Sequence, residues 1–105
     1  MSYFILGAPT LSNTDPSQEY GQWMKNFSLT CIEPSLSAGS SYTFKRNGTV
    51  IFHQSTSART KYIPNVSSGS VVLTIISLDT TDEGAYSCEF NFAQSPVLPV
   101  VIEGT

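Results

Sequence analysis

Charge is scarce in this chain of 105 residues: Asp, Glu, Lys and Arg together supply only 12%, against about 25% in an ordinary soluble domain. The five cations, Lys25, Lys45, Arg46, Arg59 and Lys61, are scattered, and only Lys45 and Arg46 are adjacent. With a net charge of −3 and no basic stripe to neutralise a row of phosphates, nucleic acid is not an expected partner. Histidine is nearly absent. His53 stands alone, without an acidic neighbour in sequence, so the chain lacks the nucleophile, base and orienting group of a hydrolase. One histidine and two cysteines cannot furnish a zinc site, and the acids follow no calcium-loop pattern. Neither G-x-S-x-G nor a glycine-rich phosphate loop occurs. No catalysis, metal or cofactor is therefore expected. No apolar run approaches the roughly 18 residues needed to cross a bilayer, so direct membrane insertion by this segment is not expected either. Ser2 to Leu6 is too short and too poor in basic residues for a secretory leader.

What the chain does have is β-patterned. Hydrophobic residues make up 40%, enough to argue against disorder, and Ser and Thr fill the place of the missing charges, as suits strands and turns. The length fits one domain. Phe27, Leu29 and Cys31 alternate with Asn26, Ser28 and Thr30, the period of a half-buried strand. Tyr42 to Arg46 and Thr49 to His53 flank Asn47-Gly48, a strong hairpin signal. Val71 to Ile76, Ala85 to Phe92 and Val97 to Ile102 read as further strands, the last marked as an edge by Pro99. Residues 3–12 suit an edge strand kinked at Pro9, and Tyr62-Ile63-Pro64 a short strand. Residues 13–22 and 54–61 read as turn and linker, 33–41 as a flexible loop, and Ala93-Gln94-Ser95 as the loop between the last two strands. No helical period is found beyond a single turn within residues 77–84.

One run carries a resemblance. Leu73, Ile75, Leu78, Asp82, Gly84, Tyr86 and Cys88, with Cys31 as the earlier partner, resemble the E strand, E–F turn and F strand of an immunoglobulin-superfamily domain, with a tyrosine two residues before the second cysteine. The resemblance implies an all-β fold: a two-sheet antiparallel immunoglobulin-like sandwich with one inter-sheet disulfide, Cys31–Cys88. The residues alone leave two buried free thiols open. Phe44 stands where the family places its core tryptophan, while Trp23, the only tryptophan, falls before the first cysteine's strand. Asp82 is expected to cap the E–F turn and to pair with Arg59, with Glu83 facing water. The absence of F-G-x-G in residues 97–105 argues against a variable domain. An I-set or similar short form fits better, and the Lys45-Arg46-Asn47-Gly48 turn is similar to ectodomains of leukocyte Fc-receptor-like and other immune-type receptors.

A disulfide implies an oxidising compartment, and the sequons at Asn26, Asn47 and Asn65 agree as candidate N-glycosylation sites. The expected location is extracellular, as a cell-surface ectodomain or a secreted protein. Residues 1–105 are expected to form a single domain cut from a larger ectodomain. With chemistry excluded, recognition remains. The expected function is that of a non-enzymatic recognition domain of an immune-type or adhesion receptor, binding a protein ligand or counter-receptor. The expected surface is built by residues 45–53 and 89–95, with Lys45, Arg46, Ile51, Phe52 and His53 as candidate contacts on the first stretch and Phe90, Phe92 and Gln94 on the second, and Trp23 a third apolar point. Phe90 and Phe92 share the parity of Cys88, which leaves a place in the core open for both. A glycan on Asn47 would crowd that surface. Alternatives are a structural spacer between binding modules and a viral immunoglobulin-like decoy; homodimerisation through a sheet face also stays open.

Overall fold

Alternating apolar residues on both sides of Cys31 and Cys88 decide which faces of the strands turn inward. The structure, a computed structural model, describes residues 9–15, 20–37, 39–55 and 59–103. Its strands are β1 (Thr10–Asn13), β2 (Gly21–Gln22), β3 (Phe27–Ile32), β4 (Tyr42–Arg46), β5 (Thr49–His53), β6 (Tyr62–Ser67), β7 (Ser70–Ile75), β8 (Gly84–Phe90), β9 (Ala93–Gln94), β10 (Leu98–Val100) and β11 (Ile102–Glu103), with a 3₁₀ turn at Thr80–Asp82. One sheet runs β1-β3-β7-β6. The other runs β10-β8-β4-β5, with β9 paired to β8. All pairings within these two sheets are antiparallel, so the expected sandwich is the one formed.

Phe27, Leu29 and Cys31 in β3, Val71, Leu73 and Ile75 in β7, Tyr42 and Phe44 in β4, and Tyr86 and Cys88 in β8 are all buried. They divide into two clusters. One surrounds the disulfide with Leu36, Tyr42, Phe44, Phe52, Val71 and Leu73; the other gathers Phe27, Leu29, Ile75, Leu78, Tyr86 and Val100. The Cys31–Cys88 bridge joins the sheets across a Cα separation of 6.3 Å, as the resemblance implied. Phe44 lies opposite Cys88 in the β4–β8 register and is fully buried. It packs edge-on to Tyr42 with ring centroids 6.1 Å apart.

Several local expectations need correction. Part of the stretch read as turn, Gly21–Gln22, pairs in parallel with β11, and the final strand is split into β10 and β11 by Val101. The short strand at Tyr62 extends to Ser67, and Ala93-Gln94 is a strand rather than a loop. The start of the loop at 33–41 is anchored rather than free. Glu33 and Leu36 are buried; Glu33 N–H donates to Gly69 O at 3.0 Å and Gly69 N–H to Leu36 O at 2.7 Å. The buried Glu33 carboxylate is met by the Ser35 N–H and hydroxyl. Of the expected strand over 3–12, residues 3–8 lie outside the described residues.

The corner between β7 and β8 also differs in detail. The Tyr86 hydroxyl donates to the Asp82 carbonyl oxygen, the tyrosine corner the resemblance implied. The cap, however, is Asp79. Its Oδ1 accepts from Thr81 N–H at 2.8 Å, and Asp79 N–H donates back to Asp82 Oδ2 at 2.9 Å, a reciprocal capping box. The hydrogen bond from the Thr81 side chain, seconded by its N–H, holds the Asp79 carboxyl below its usual range. Buried Asp82 pairs with Lys61 at 2.8 Å and Arg46 at 3.7 Å, not with Arg59. Arg59 instead donates to Gln54 O at 3.1 Å and lies over the Phe52 ring at 5.5 Å. Glu83, though exposed, accepts from Ile102 N–H at 2.9 Å and so tethers β11.

Two predictions follow from this corner. Lys61→Met removes the closest cation from a buried carboxylate. Because the lysine is itself partly exposed, the loss is expected to be about 1–2 kcal/mol rather than the full cost of breaking a buried pair. Arg59→Ala removes the contact over Phe52 and the hydrogen bond to Gln54 O from an exposed side chain and should cost about 1 kcal/mol or less. Thermal unfolding of both variants checks the order, and a larger loss for Arg59→Ala would refute it. The second concerns alkaline pH. Burial above all, against the opposing pull of Arg46, pushes the Tyr86 phenol from 10.0 up to about 12. In the unfolded chain it titrates near pH 10. Between those values the unfolded state has lost a proton that the folded state keeps, so stability falls as pH rises. The contribution is intact below pH ~10 and gone above ~12, about 2–3 kcal/mol in all. Denaturant melts at pH 9 and 11.5 should show this, with Tyr86→Phe removing the part due to this phenol and leaving that of Tyr42, which burial also raises.

Candidate functional site

Residues that do not point inward from β4, β5 and β8 form the outer face of the five-stranded sheet. Strand alternation sends Thr43, Lys45 and Glu89 to the face opposite Phe44 and Cys88. The register sets Thr43 between His53 and Glu89, and Glu89 beside Gln94. A register shift between Phe44 and Lys45 is a β-bulge, which re-aims the following side chains. Lys45 Nζ lies 3.0 Å from Glu89 Oε1 and donates to Gln94 Oε1 at 3.2 Å. His53 Nδ1 is 3.0 Å from the Ser55 hydroxyl.

At the β8–β9 end this face opens into a concavity of about 430 Å³, lined by Ser40, Ser41, Thr43, His53, Glu89, Phe90, Asn91 and Phe92. Its walls are hydroxyls, an imidazole, a carboxylate, an amide and two aromatic rings. This set can accept and donate hydrogen bonds around an apolar contact. Among the described residues, no three or more His, Cys, Asp or Glu side chains are grouped as a metal ion would require, and no helix is long and apolar enough to cross a membrane.

The rim is formed by the β8–β9 hairpin. Phe90 pairs with Ala93, leaving Asn91 and Phe92 as a two-residue turn, both at positive φ, 54° and 66°. Such turns match the twist of the flanking strands, and they favour Asn followed by Gly. Phe92 occupies the glycine position and is 95% exposed. A bulky residue at positive φ is an outlier, and this one buries almost nothing in return.

The candidate contacts from sequence divide accordingly. Lys45, His53, Phe92 and Gln94 belong to the outer face or its rim, whereas Phe90 shares the parity of Cys88, is half-buried against the disulfide's cluster and lines the concavity from the core side. Phe52 does not belong to the outer face: it is fully buried and stacks on Tyr42 with centroids 6.3 Å apart, so the expected surface aromatic in β5 is a core residue. Ile51 is half-buried and packs against both core clusters. Arg46 is drawn to Asp82 and donates to Tyr62 Oη at 3.3 Å, which commits it to the corner. Ser40, Ser41 and Thr43 were missed, and Glu89 and Asn91 lay inside the expected stretch without being singled out. Alternation marks Thr43 and Glu89 as outward-facing, but their meeting with His53 depends on a register the sequence does not spell out. Trp23, on the turn after β2, is 42% exposed, and Met24 beside it 59%.

A family model described as an immunoglobulin domain matches residues 8–91. Among solved structures, the first Ig domain of the mouse polymeric immunoglobulin receptor superposes with a TM-score of 0.70 at 16% identity, over 94% of this chain and 97% of that one. An Ig-like domain from human cDNA gives 0.62 at 13% identity, over 82% and 69%. The I9–I11 tandem of titin gives 0.60 at 20%, over 80% of this chain and 30% of the tandem. No curated protein matches by sequence. At such identities the likeness is one of fold, and a shared fold does not carry a shared ligand.

Proposed function

Because this chain belongs to the immunoglobulin domain family, we propose that it is an extracellular recognition domain of a cell-surface receptor, immune-type or adhesive. In this reading it binds a protein partner through the outer face of the β10-β8-β4-β5 sheet and the β8–β9 turn. The observation that carries the reading is Phe92: a large ring held at φ 66° and 95% exposed, beside a concavity that supplies Glu89, His53 and three hydroxyl side chains. Solvent gives such a ring no reason to be there, whereas aromatic anchors dominate the energy of protein interfaces. Lys45, Gln94 and Glu89 would form a polar rim around it.

A second reading, a spacer within a multidomain ectodomain, is favoured by the other end of the molecule. Trp23 and Met24 are exposed there, and so is Val101; Trp23 N–H donates to Glu103 O at 2.9 Å and Gly21 N–H to Val101 O at 2.9 Å. An apolar group of this kind suits a joint with a neighbouring domain. The test is to stain leukocyte and epithelial surfaces with a soluble multimer of the oxidised domain. Saturable staining supports recognition. A folded monomer that stains nothing favours the spacer.

A further inference from the structure

The three Asn-x-Ser/Thr sequences do not present equivalent amides. Asn47 Oδ1 accepts from Ala85 N–H at 2.9 Å and its backbone N–H donates to Ala85 O at 2.8 Å, clamping the β4–β5 turn onto β8. Its Nδ2 lies against Gly84, 2.8 Å from where a Cβ would project; only glycine lets the amide approach so closely. Asn26 Oδ1 accepts from Ser77 N–H at 3.0 Å, tying the start of β3 to the segment after β7. Asn65 is different. It lies in β6, an edge strand. Its side chain is exposed and makes no hydrogen bond among the described residues. Ser67, two positions on, is exposed as well, and strand alternation puts both on the same outward face.

We propose that Asn65 is an N-glycan acceptor of this domain, while the amide of Asn47 serves the fold. The geometry leaves Asn26 neutral, since its contact uses Oδ1, which a glycan on Nδ2 leaves in place. The inference rests on the secretory location in the proposed function. Transfer forms a bond from Asn65 Nδ2 to C1 of an oligosaccharide carried on a lipid pyrophosphate. The C1–O bond breaks, the lipid pyrophosphate leaves with its electron pair, and the amide proton passes to solvent. Transfer acts on the emerging chain, so the fold exerts its preference afterwards, by deciding which glycoforms reach the native structure and are secreted. A chain carrying sugar on Asn47 must turn the amide away from Gly84 to reach the native structure, and one carrying it on Asn65 need not adjust. The glycan would cover an edge strand, a place where folded sheets need protection from pairing with other chains, already partly blunted by Pro64. It would also stand on the sheet opposite the candidate recognition face, leaving that face open.

The chain, placed behind a cleavable leader, should be secreted from mammalian cells, which sends it through the glycosylating compartment whatever its native route. The product is deglycosylated enzymatically in heavy-oxygen water and mapped by peptide mass. The expected result is label at Asn65 in most molecules, with Asn47 largely unlabelled. Asn65→Gln should be secreted without glycan at an unchanged melting temperature, whereas Asn47→Gln should melt several degrees lower. An unlabelled Asn65 in folded product, or label at Asn47 equal to that at Asn65, overturns the proposal. Labelled Asn65 with no cell-surface staining would leave this inference standing and remove the recognition reading.

Discussion

Changing Cys31 and Cys88 together to alanine is expected to cost about 4 kcal/mol of unfolding free energy, the largest stability effect anticipated for this chain. The bridge joins positions 57 apart in sequence, and closing a loop of that length removes about 4 kcal/mol of unfolded-chain entropy at room temperature. The truncation also leaves a void between Phe44, Leu73 and Val71, which share the disulfide's cluster, and voids in a packed core add their own penalty. Small domains hold only about 5–15 kcal/mol in total, so the variant should be marginal, with a midpoint lower by roughly 15–30 °C. Guanidinium melts provide the measurement. Reducing the unaltered protein is the companion experiment, since it opens the loop but keeps the sulfur volume. It should lose somewhat less than the alanine pair. A double variant within about 5 °C of the parent would mean that packing around Phe44 holds the sheets together and that the loop argument fails.

The parts of this fold legible in the sequence are those where local pattern and global burial coincide. The alternation Phe27-Leu29-Cys31 could be read because β3 has one wet face and one dry face, and its observed burial follows that alternation. Asn47-Gly48 announced its hairpin because both residues take positive φ, which few other pairs tolerate. What escaped was set by long-range register. Arg59 and Lys61 are two residues apart in a polar stretch, and nothing local says which reaches Asp82. The backbone does, because Ile76 N–H donates to Lys61 O at 2.9 Å and fixes lysine at the corner. Phe52 was misplaced for a related reason. The bulge between Phe44 and Lys45 sets Phe52 opposite Phe44 and Val50 opposite Lys45, and a bulge leaves no mark in a run as uniformly apolar as Val50-Ile51-Phe52. The Asn91-Phe92 turn was hidden because its second residue contradicts the turn's own preference. Sites of function are where such contradictions between local preference and fold are expected.

Phe92→Gly is accordingly expected to move two assays in opposite directions. In the free domain, glycine removes a side chain from a left-handed position, relieving a cost of about 1–2 kcal/mol for an L-residue. The greater freedom of glycine in the unfolded chain takes back roughly 0.5–1 kcal/mol. The net change is a stability equal to the parent's or higher by up to about 1.5 kcal/mol, because a ring that is 95% exposed surrenders almost no packing. On cells stained by the multimer, the same variant should need at least about 25-fold more protein for half-saturation, the equivalent of the roughly 2 kcal/mol lost when an interface anchor is truncated. Phe92→Ala separates the two causes. It deletes the ring but keeps a Cβ at φ 66°, so it should lose binding as glycine does while gaining no stability. If Phe92→Gly instead melts lower than the parent, the ring is serving the fold, and its exposure has been misread as availability. If stability holds and staining is unchanged, the partner docks away from this turn, and the surface around Trp23 and Met24 becomes the next to probe. Only the combination of lost staining with equal or higher stability assigns Phe92 to a partner, because no contact within the domain could produce both.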